Sequence, residues 1–239
     1  MLGTLYGIGV GPGDPDLLTL KAVKVLKRVA HVFAAASSKN DYSVALDIVR
    51  EHLLPDTPVD HLAFPMTFNS DSLEHAWNAN CEKVVEILRL GKNVAFLTIG
   101  DPLTFSTFIY LMRKIRERLP GVTISIVPGV TSFHAAAACA GLPLGEGDEV
   151  ITVIPGAKGV DRLKEVAAYS DNVVLMKTYK QFPRILHEIE EAGLKDRCCF
   201  ISRCGLDGEI VECDFEKLSQ IERPNYLSLI ILKKRGLEP

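Results

Sequence analysis

Short, nearly unbroken apolar runs alternate along the chain with longer segments whose apolar residues recur at helical spacing. In the first half the runs are TLYGIGV (4–10), HVFAA (31–35), VDHLAF (59–64), NVAFLTI (93–99) and VTISIV (122–127). Each reads as a strand, with helices between them. The segment 15–29 places Leu17, Leu18, Val25, Leu26 and Val29 on a helical period, with Asp14 as N-cap and Pro15 in the first helical position. Apolar strands without polar alternation, separated by helices, predict a largely parallel sheet covered on both faces. After the Gly-, Pro- and acid-rich stretch GLPLGEGDE (141–149) the pattern restarts with EVITVI (149–154), a helix near 160–168, NVVLMKT (172–178) and a helix near 181–192. Short strands at CCFISR (198–203), GEIVEC (208–213) and YLSLIIL (226–232) then suit a mixed sheet. The expected class is α/β in two domains, residues 1–145 and 146–239.

Composition sharpens this picture by exclusion. Over 239 residues, 47% are hydrophobic and 24% charged, the balance of a folded chain rather than a disordered or fibrous one. A net charge of −3 provides no general attraction to nucleic acid or an anionic membrane. The stretches 93–112 and 122–145 are apolar enough to suggest membrane spans, but Gly100-Asp101-Pro102 and Pro128-Gly129 divide each into strand, loop and helix. The start MLGTLYGIGV has no basic segment ahead of its apolar residues and reads as a first buried strand, which favours a cytoplasmic protein. Cys81, Cys139, Cys198, Cys199, Cys204 and Cys213 include no C-x-x-C pair, so reduced structural thiols and no protein metal site are expected.

Three strand-to-helix turns, at 9–15, 99–107 and 127–133, carry the glycines. In a parallel sheet they emerge at the carboxyl ends of the strands, where backbone N–H groups can face a ligand. A dinucleotide fingerprint does not fit: Gly7, Gly9, Gly11 and Gly13 alternate, and no acidic residue ends the second strand. The phosphate-loop pattern G-x-x-x-x-G-K-[ST] is absent too, and Asp14 and Asp101, in the two copies of Gly-Asp-Pro, would repel a phosphate. The second turn instead has one carboxylate, no base, and the hydroxyls of Thr98, Thr104, Ser106 and Thr107, a setting that suits a cation such as the sulfonium of S-adenosylmethionine.

Plainer readings stand beside these. Asp101 can be only a cap for a helix opening at Pro102, His134 a helix-surface residue, and Lys21, Lys24 and Arg28 a solvated stripe. Met176 can be core, and HEIEE (187–191) lacks the second histidine of a zinc-protease motif.

Taken together, GVGPGDPDLLTLKA (9–22), LTIGDPLTFST (97–107), VPGVTSFHAAAA (127–138) and VVLMKTY (173–179), in that order, resemble the tetrapyrrole (corrin/porphyrin) methylases. Within that family FPMT (64–67), GDPLTFSTFIYL (100–111) and LMKTYKQF (175–182) look most like the precorrin-2 C20-methyltransferases of cobalamin synthesis. The stretch after the second Gly-Asp-Pro lacks the glycines and arginines expected of uroporphyrinogen methylases, and the F-P-M and S-T-F signatures speak against diphthine synthases. The resemblance implies two α/β domains with S-adenosylmethionine folded into the cleft between them, usually in a homodimer. By position it assigns the cofactor to Pro12, Ile99, Gly100, Asp101, Leu103, Thr104, Thr131, Ser132, Met176 and Gly205. It also implies attack of C20 of precorrin-2 or cobalt-factor II on the sulfonium methyl. Asp101 is the first candidate for the base that receives the C20 proton, with Asp14, Tyr179 and His134 behind it, and Lys39, Lys177, Lys180 and Arg203 are candidates for the substrate carboxylates. Methylation at another ring position, or a non-enzymatic tetrapyrrole or nucleotide binder, are the alternatives.

Overall fold

The computed structural model describes residues 1–37, 43–64 and 70–237; Lys39 and Pro65–Thr67 of the FPMT stretch lie outside them. The chain divides into two compact units, Met1–Thr131 and Ser132–Pro239.

The first unit is built on β1 (Thr4–Gly9), α1 (Leu20–Leu26), β2 (His31–Ser37), α2 (Val44–Val49), β3 (Val59–Phe64), α3 (Ser70–Arg89), β4 (Val94–Thr98), α4 (Phe108–Arg118) and β5 (Thr123–Val127). The strands form one five-stranded sheet in the order β3-β2-β4-β1-β5, and every pairing in it is parallel. One face is closed by Ala22, Leu26, Ile48 and Val49 packed with Ile8, Val32 and Leu97. The other is closed by Val84, Val85, Leu88, Leu111 and Ile115 packed with Leu5, Phe33 and Phe96. Burial on both faces explains why these strands read as continuous apolar runs. It also puts the ends of β4, β1 and β5, three adjacent strands, at one edge.

The second unit comprises α5 (Ser132–Ala140), β6 (Ile151–Pro155), α6 (Gly156–Gly159), α7 (Leu163–Tyr169), β7 (Asn172–Met176), α8 (Phe182–Glu191), β8 (Cys198–Ser202), β9 (Ile210–Glu212), α9 (Phe215–Ser219) and β10 (Ser228–Lys233). Its sheet runs β6-β7-β10-β8-β9. The β6–β7 pair is parallel and the others antiparallel, as expected of a mixed sheet. The break falls within the 127–133 turn rather than at 141–149, because α5 packs on β8 and β10 and so joins the second unit.

Two local expectations are corrected. The helix expected over 15–29 opens instead as a 3₁₀ turn, Pro15–Leu17, capped by Asp14, whose Oδ1 accepts from Asp16 N at 2.9 Å. The α-helix starts only at Leu20, where Thr19 Oγ1 accepts from Ala22 N at 3.2 Å. The six thiols are not all reduced: Cys199 and Cys213 form a disulfide. The antiparallel register Phe200↔Glu212 carries Cys199 opposite Cys213, a pairing that local C-x-x-C spacing cannot reveal. Among the described residues no helix is long and apolar enough to cross a membrane, and the two suspect stretches are strand, turn and helix.

Glu149, just before β6, accepts hydrogen bonds from Asn172 Nδ2 at 2.9 Å and Glu146 N at 3.0 Å. The Asn172 bond, assisted by Glu146 N and by the charges of Lys233 and Arg235, holds its carboxyl below the ordinary value of 4.5. A depressed folded-state pKa means that its contribution to stability is present above about pH 4.5 and is lost as pH falls through the lower, folded-state value. Thermal unfolding of the wild type is therefore expected to lose more on acidification through that range than that of Glu149→Gln, whose curve should be flatter there.

Candidate active site

In the first unit the two Gly-Asp-Pro loops meet directly. Gly100 N donates to Gly11 O at 2.7 Å and Gly11 N to Gly100 O at 3.4 Å, an isolated antiparallel bridge between the turns after β1 and β4. Both glycines have positive φ, +79° at Gly11 and +71° at Gly100, where an L side chain is strained. The turn after β5 closes on the same point: a Cβ on Gly129 would lie 2.2 Å from Gly100 O, and one on Gly9 would lie 2.5 Å from it. Only bare backbone lets the three loops pack this closely.

Asp101 ties them together. Its Oδ1 accepts from Leu103 N at 2.9 Å and from Thr104 Oγ1 at 3.4 Å, and its Oδ2 accepts from Gly129 N at 3.2 Å. The helix expected to open at Pro102 begins only at Phe108, so Asp101 stabilises a turn and a neighbouring loop rather than a helix end. Thr98 and Ser106 are buried and hydrogen-bonded to one another at 2.9 Å, and Ser106 Oγ also accepts from Phe108 N at 3.1 Å. These two hydroxyls brace the loop from inside.

The cofactor candidates of this unit thus gather at one sheet edge: Pro12 buried, Gly100 within the bridge, Ile99, Asp101 and Thr104 half-buried, and Thr131 closing the third loop. Leu103 and Phe105 present apolar surface there, 50% and 42% exposed. Two contributors escape a reading of the sequence. Gly129 matters through its N–H and its missing side chain, signalled only by the Pro-Gly pair. Phe105 is held at φ +52°, which the sequence does not signal.

In the second unit Ser132, the first residue of α5, donates to Met176 Sδ at 3.9 Å, so two of the candidates are brought together. Met176 ends β7, and the residues after it follow a strained path, with Lys177 at φ +58° and Gln181 at +60°. Partial burial, reinforced by the charge of Lys180, lowers the pKa of the Lys177 ammonium from its ordinary value. Tyr179 meets Tyr226 edge-on at 4.9 Å, and Lys180 Nζ lies 5.6 Å from the Tyr179 ring centroid. Burial, then the neighbouring Tyr179, raises the Tyr226 phenol. Gly205, at φ +71°, sits in the turn after β8 and donates to Glu209 Oε2 at 2.7 Å. Arg203 in that turn donates through Nε to Asp207 O at 2.6 Å. His134 lies on the exposed side of α5, its ring 4.7 Å from that of Phe133.

Comparison with known proteins places this geometry. Residues 4–219 match the profile of the family described as Tetrapyrrole (Corrin/Porphyrin) Methylases. A probable cobalt-precorrin-2 C(20)-methyltransferase of Methanocaldococcus jannaschii is 36% identical over 235 residues, 96% of each chain. The cobalt-precorrin-2 C(20)-methyltransferase of Salmonella typhimurium is 34% identical over 98% of each chain. The solved uroporphyrin-III C-methyl transferase of Thermus thermophilus, complexed with S-adenosylhomocysteine, shares the fold with a TM-score of 0.69 and 23% identity, over 97% of this chain and 92% of that one.

Proposed function

Because the chain belongs to the tetrapyrrole (corrin/porphyrin) methylase family, we propose that it methylates C20 of cobalt-precorrin-2 in cobalamin biosynthesis, with S-adenosylmethionine as methyl donor. The observation that carries this reading is the locked triple loop at the carboxyl edge of the parallel sheet, within a chain that matches two such enzymes over nearly its full length. Two relatives, 36% and 34% identical, bear cobalt-precorrin-2 in their names and a third, 31% identical over 97% of this chain, bears precorrin-2, so the higher identities favour the cobalt-bearing ring and both rings are to be tested.

The residues fit the donor. Asp101 keeps a carboxylate beside the exposed apolar surface of Leu103 and Phe105, a combination suited to a cationic sulfonium carrying a flat heterocycle. Pro12, Ile99, Gly100, Leu103, Thr104 and Thr131 are the residues of the first unit that would hold it, and Ser132, Met176 and Gly205 are further candidates by resemblance. When bound, S-adenosylmethionine supplies the electrophilic methyl group that C20 takes up. What the protein contributes is positioning. The bridge between Gly11 and Gly100 and the Asp101 tie fix the loops before any ligand arrives, and such orientation is worth about 7 to 11 kcal/mol in well-aligned systems. No side chain needs to act as a nucleophile.

A proton leaves C20 after transfer. Asp14 and Asp101 both spend carboxylate oxygens on backbone N–H groups, so we assign them to loop geometry and local charge, which leaves Tyr179 and His134 as the candidates for the proton. Lys177, Lys180 and Arg203 are candidates among the described residues for meeting the carboxylates of the ring. A cytoplasmic homodimer accompanies this reading, and light scattering of the purified chain checks the dimer.

Incubation with methyl-labelled donor and either cobalt-precorrin-2 or precorrin-2, followed by NMR of the product, is expected to place the label at C20, with faster transfer to the cobalt form. A methyl at any other carbon would overturn the regiochemistry. Tight tetrapyrrole binding without transfer would make the chain a binder instead.

A further inference from the structure

In the turn after β8 that also carries Arg203 and Gly205, and on the neighbouring end of α5, the second unit gathers three metal-binding groups that sequence spacing does not connect. Cys139 lies near the end of α5, Cys204 in the turn after β8, and Glu209 just before β9. Cys139 Sγ is 3.0 Å from Cys204 Sγ and 3.3 Å from Glu209 Oε2, and one ligand atom from each residue lies within 4.8 Å of the other two. Among the described residues this is the group of three that can hold a metal ion.

We propose that Cys139, Cys204 and Glu209 form a binding site for a thiophilic divalent cation of the zinc type. Two thiolates and one carboxylate are the donor set such an ion prefers, and they leave one tetrahedral position for water. Bonds of about 2.3 Å to sulfur place two ligand sulfurs roughly 3.8 Å apart, so the present pair has to open by less than an ångström. Cys139 is exposed and can make that movement. The carboxylate is already aimed: Gly205 N donates to Glu209 Oε2 at 2.7 Å, an outer-shell hydrogen bond of the kind that orients metal ligands. Cys81 and Cys198 are buried in the two cores and Cys199 and Cys213 are bonded to each other, so none of them competes for the ion. On binding, two S–H bonds break, two metal–sulfur bonds form, and two protons pass to the buffer. The ion then links the end of α5 to the β8–β9 turn.

A disulfide between Cys139 and Cys204 is the rival for the same two sulfurs. It would need an oxidant and would leave Glu209 without a role. The two are separated by adding zinc to the full-length chain under a phosphine reductant and measuring retained metal, with affinity read by competition with a chromogenic chelator. One zinc per chain is expected. Cobalt(II) in its place should give the thiolate charge-transfer absorption and visible bands of a tetrahedral site. Cys139→Ser and Glu209→Gln each remove a direct ligand and should weaken zinc binding by at least about tenfold to a hundredfold, the range that loss of an outer-shell partner alone produces. Both changes are at exposed positions, and circular dichroism confirms that each variant is folded. Failure of the reduced protein to retain zinc, equal retention by Cys139→Ser, or a Cys139–Cys204 bond that persists under reductant would each overturn the site.

Discussion

Replacing Asp101 by alanine is expected to weaken binding of S-adenosylhomocysteine roughly thirty- to 150-fold, about 2 to 3 kcal/mol, with methyl transfer falling at least as far. Three hydrogen bonds end on this carboxylate, from Leu103 N, Thr104 Oγ1 and Gly129 N. The two N–H bonds are charge-assisted and cost about 1.5 to 3 kcal/mol each when lost, discounted here because Asp101 is half-exposed and water replaces part of them. Without the carboxylate the second loop is no longer tied to the third, and Gly100, Leu103 and Thr104 lose their fixed positions. Titration calorimetry measures the loss, and Asp101→Asn separates the two roles the residue could have. An amide oxygen still accepts from Leu103 N, but the amide nitrogen cannot accept from Gly129 N, so a positioning role predicts intermediate affinity and intermediate transfer. A base would lose transfer in Asp101→Asn with cofactor affinity nearly intact, and that split would overturn the positioning assignment.

The contrast between the two Gly-Asp-Pro copies shows how far local sequence carries. Both match the cap-then-proline signal of a helix start, but only the first copy starts a helical turn, and a 3₁₀ one. The second is captured by Gly129, 28 residues further on, and no local rule contains that partner. The sheets were more legible because burial on both faces writes itself into continuous apolar runs, and NVAFLTI (93–99) contains the fully buried strand Val94–Thr98. The unit boundary was less so. The stretch 141–149 has the composition of a linker, whereas the position of the break depends on α5 packing against β8 and β10, strands that come much later in the chain. The same holds for Cys199 with Cys213 and for Cys139 with Cys204. Antiparallel register and the turn after β8 bring them together, and spacing rules register only neighbours along the chain.

Gly129→Ala tests the packing of the three loops directly and is expected to have the larger effect on stability. The added Cβ would fall 2.2 Å from Gly100 O and 2.7 Å from Gly9 C, and both are backbone atoms that cannot swing aside as a side chain would. Overpacking of this kind costs about 1 to 3 kcal/mol and more where backbone must shift, and relief requires the third loop to draw away from both the Gly100 turn and Gly9. Methyl transfer should fall by at least about a hundredfold while circular dichroism stays native, since the clash lies at the loops and not in either apolar core. Gly121→Ala is the control: no atom lies within 4 Å of its Cβ, so its cost is confined to the left-handed backbone at φ +86°, about 1 to 2 kcal/mol. Gly9→Ala meets the same carbonyl at 2.5 Å and Gly129 N at 2.6 Å, so a single separation of the third loop from this point relieves part of both clashes. The double variant Gly9→Ala/Gly129→Ala is therefore expected to lose less stability than the two single losses added together. Strict additivity in thermal unfolding would mean that the three loops do not share one point of contact.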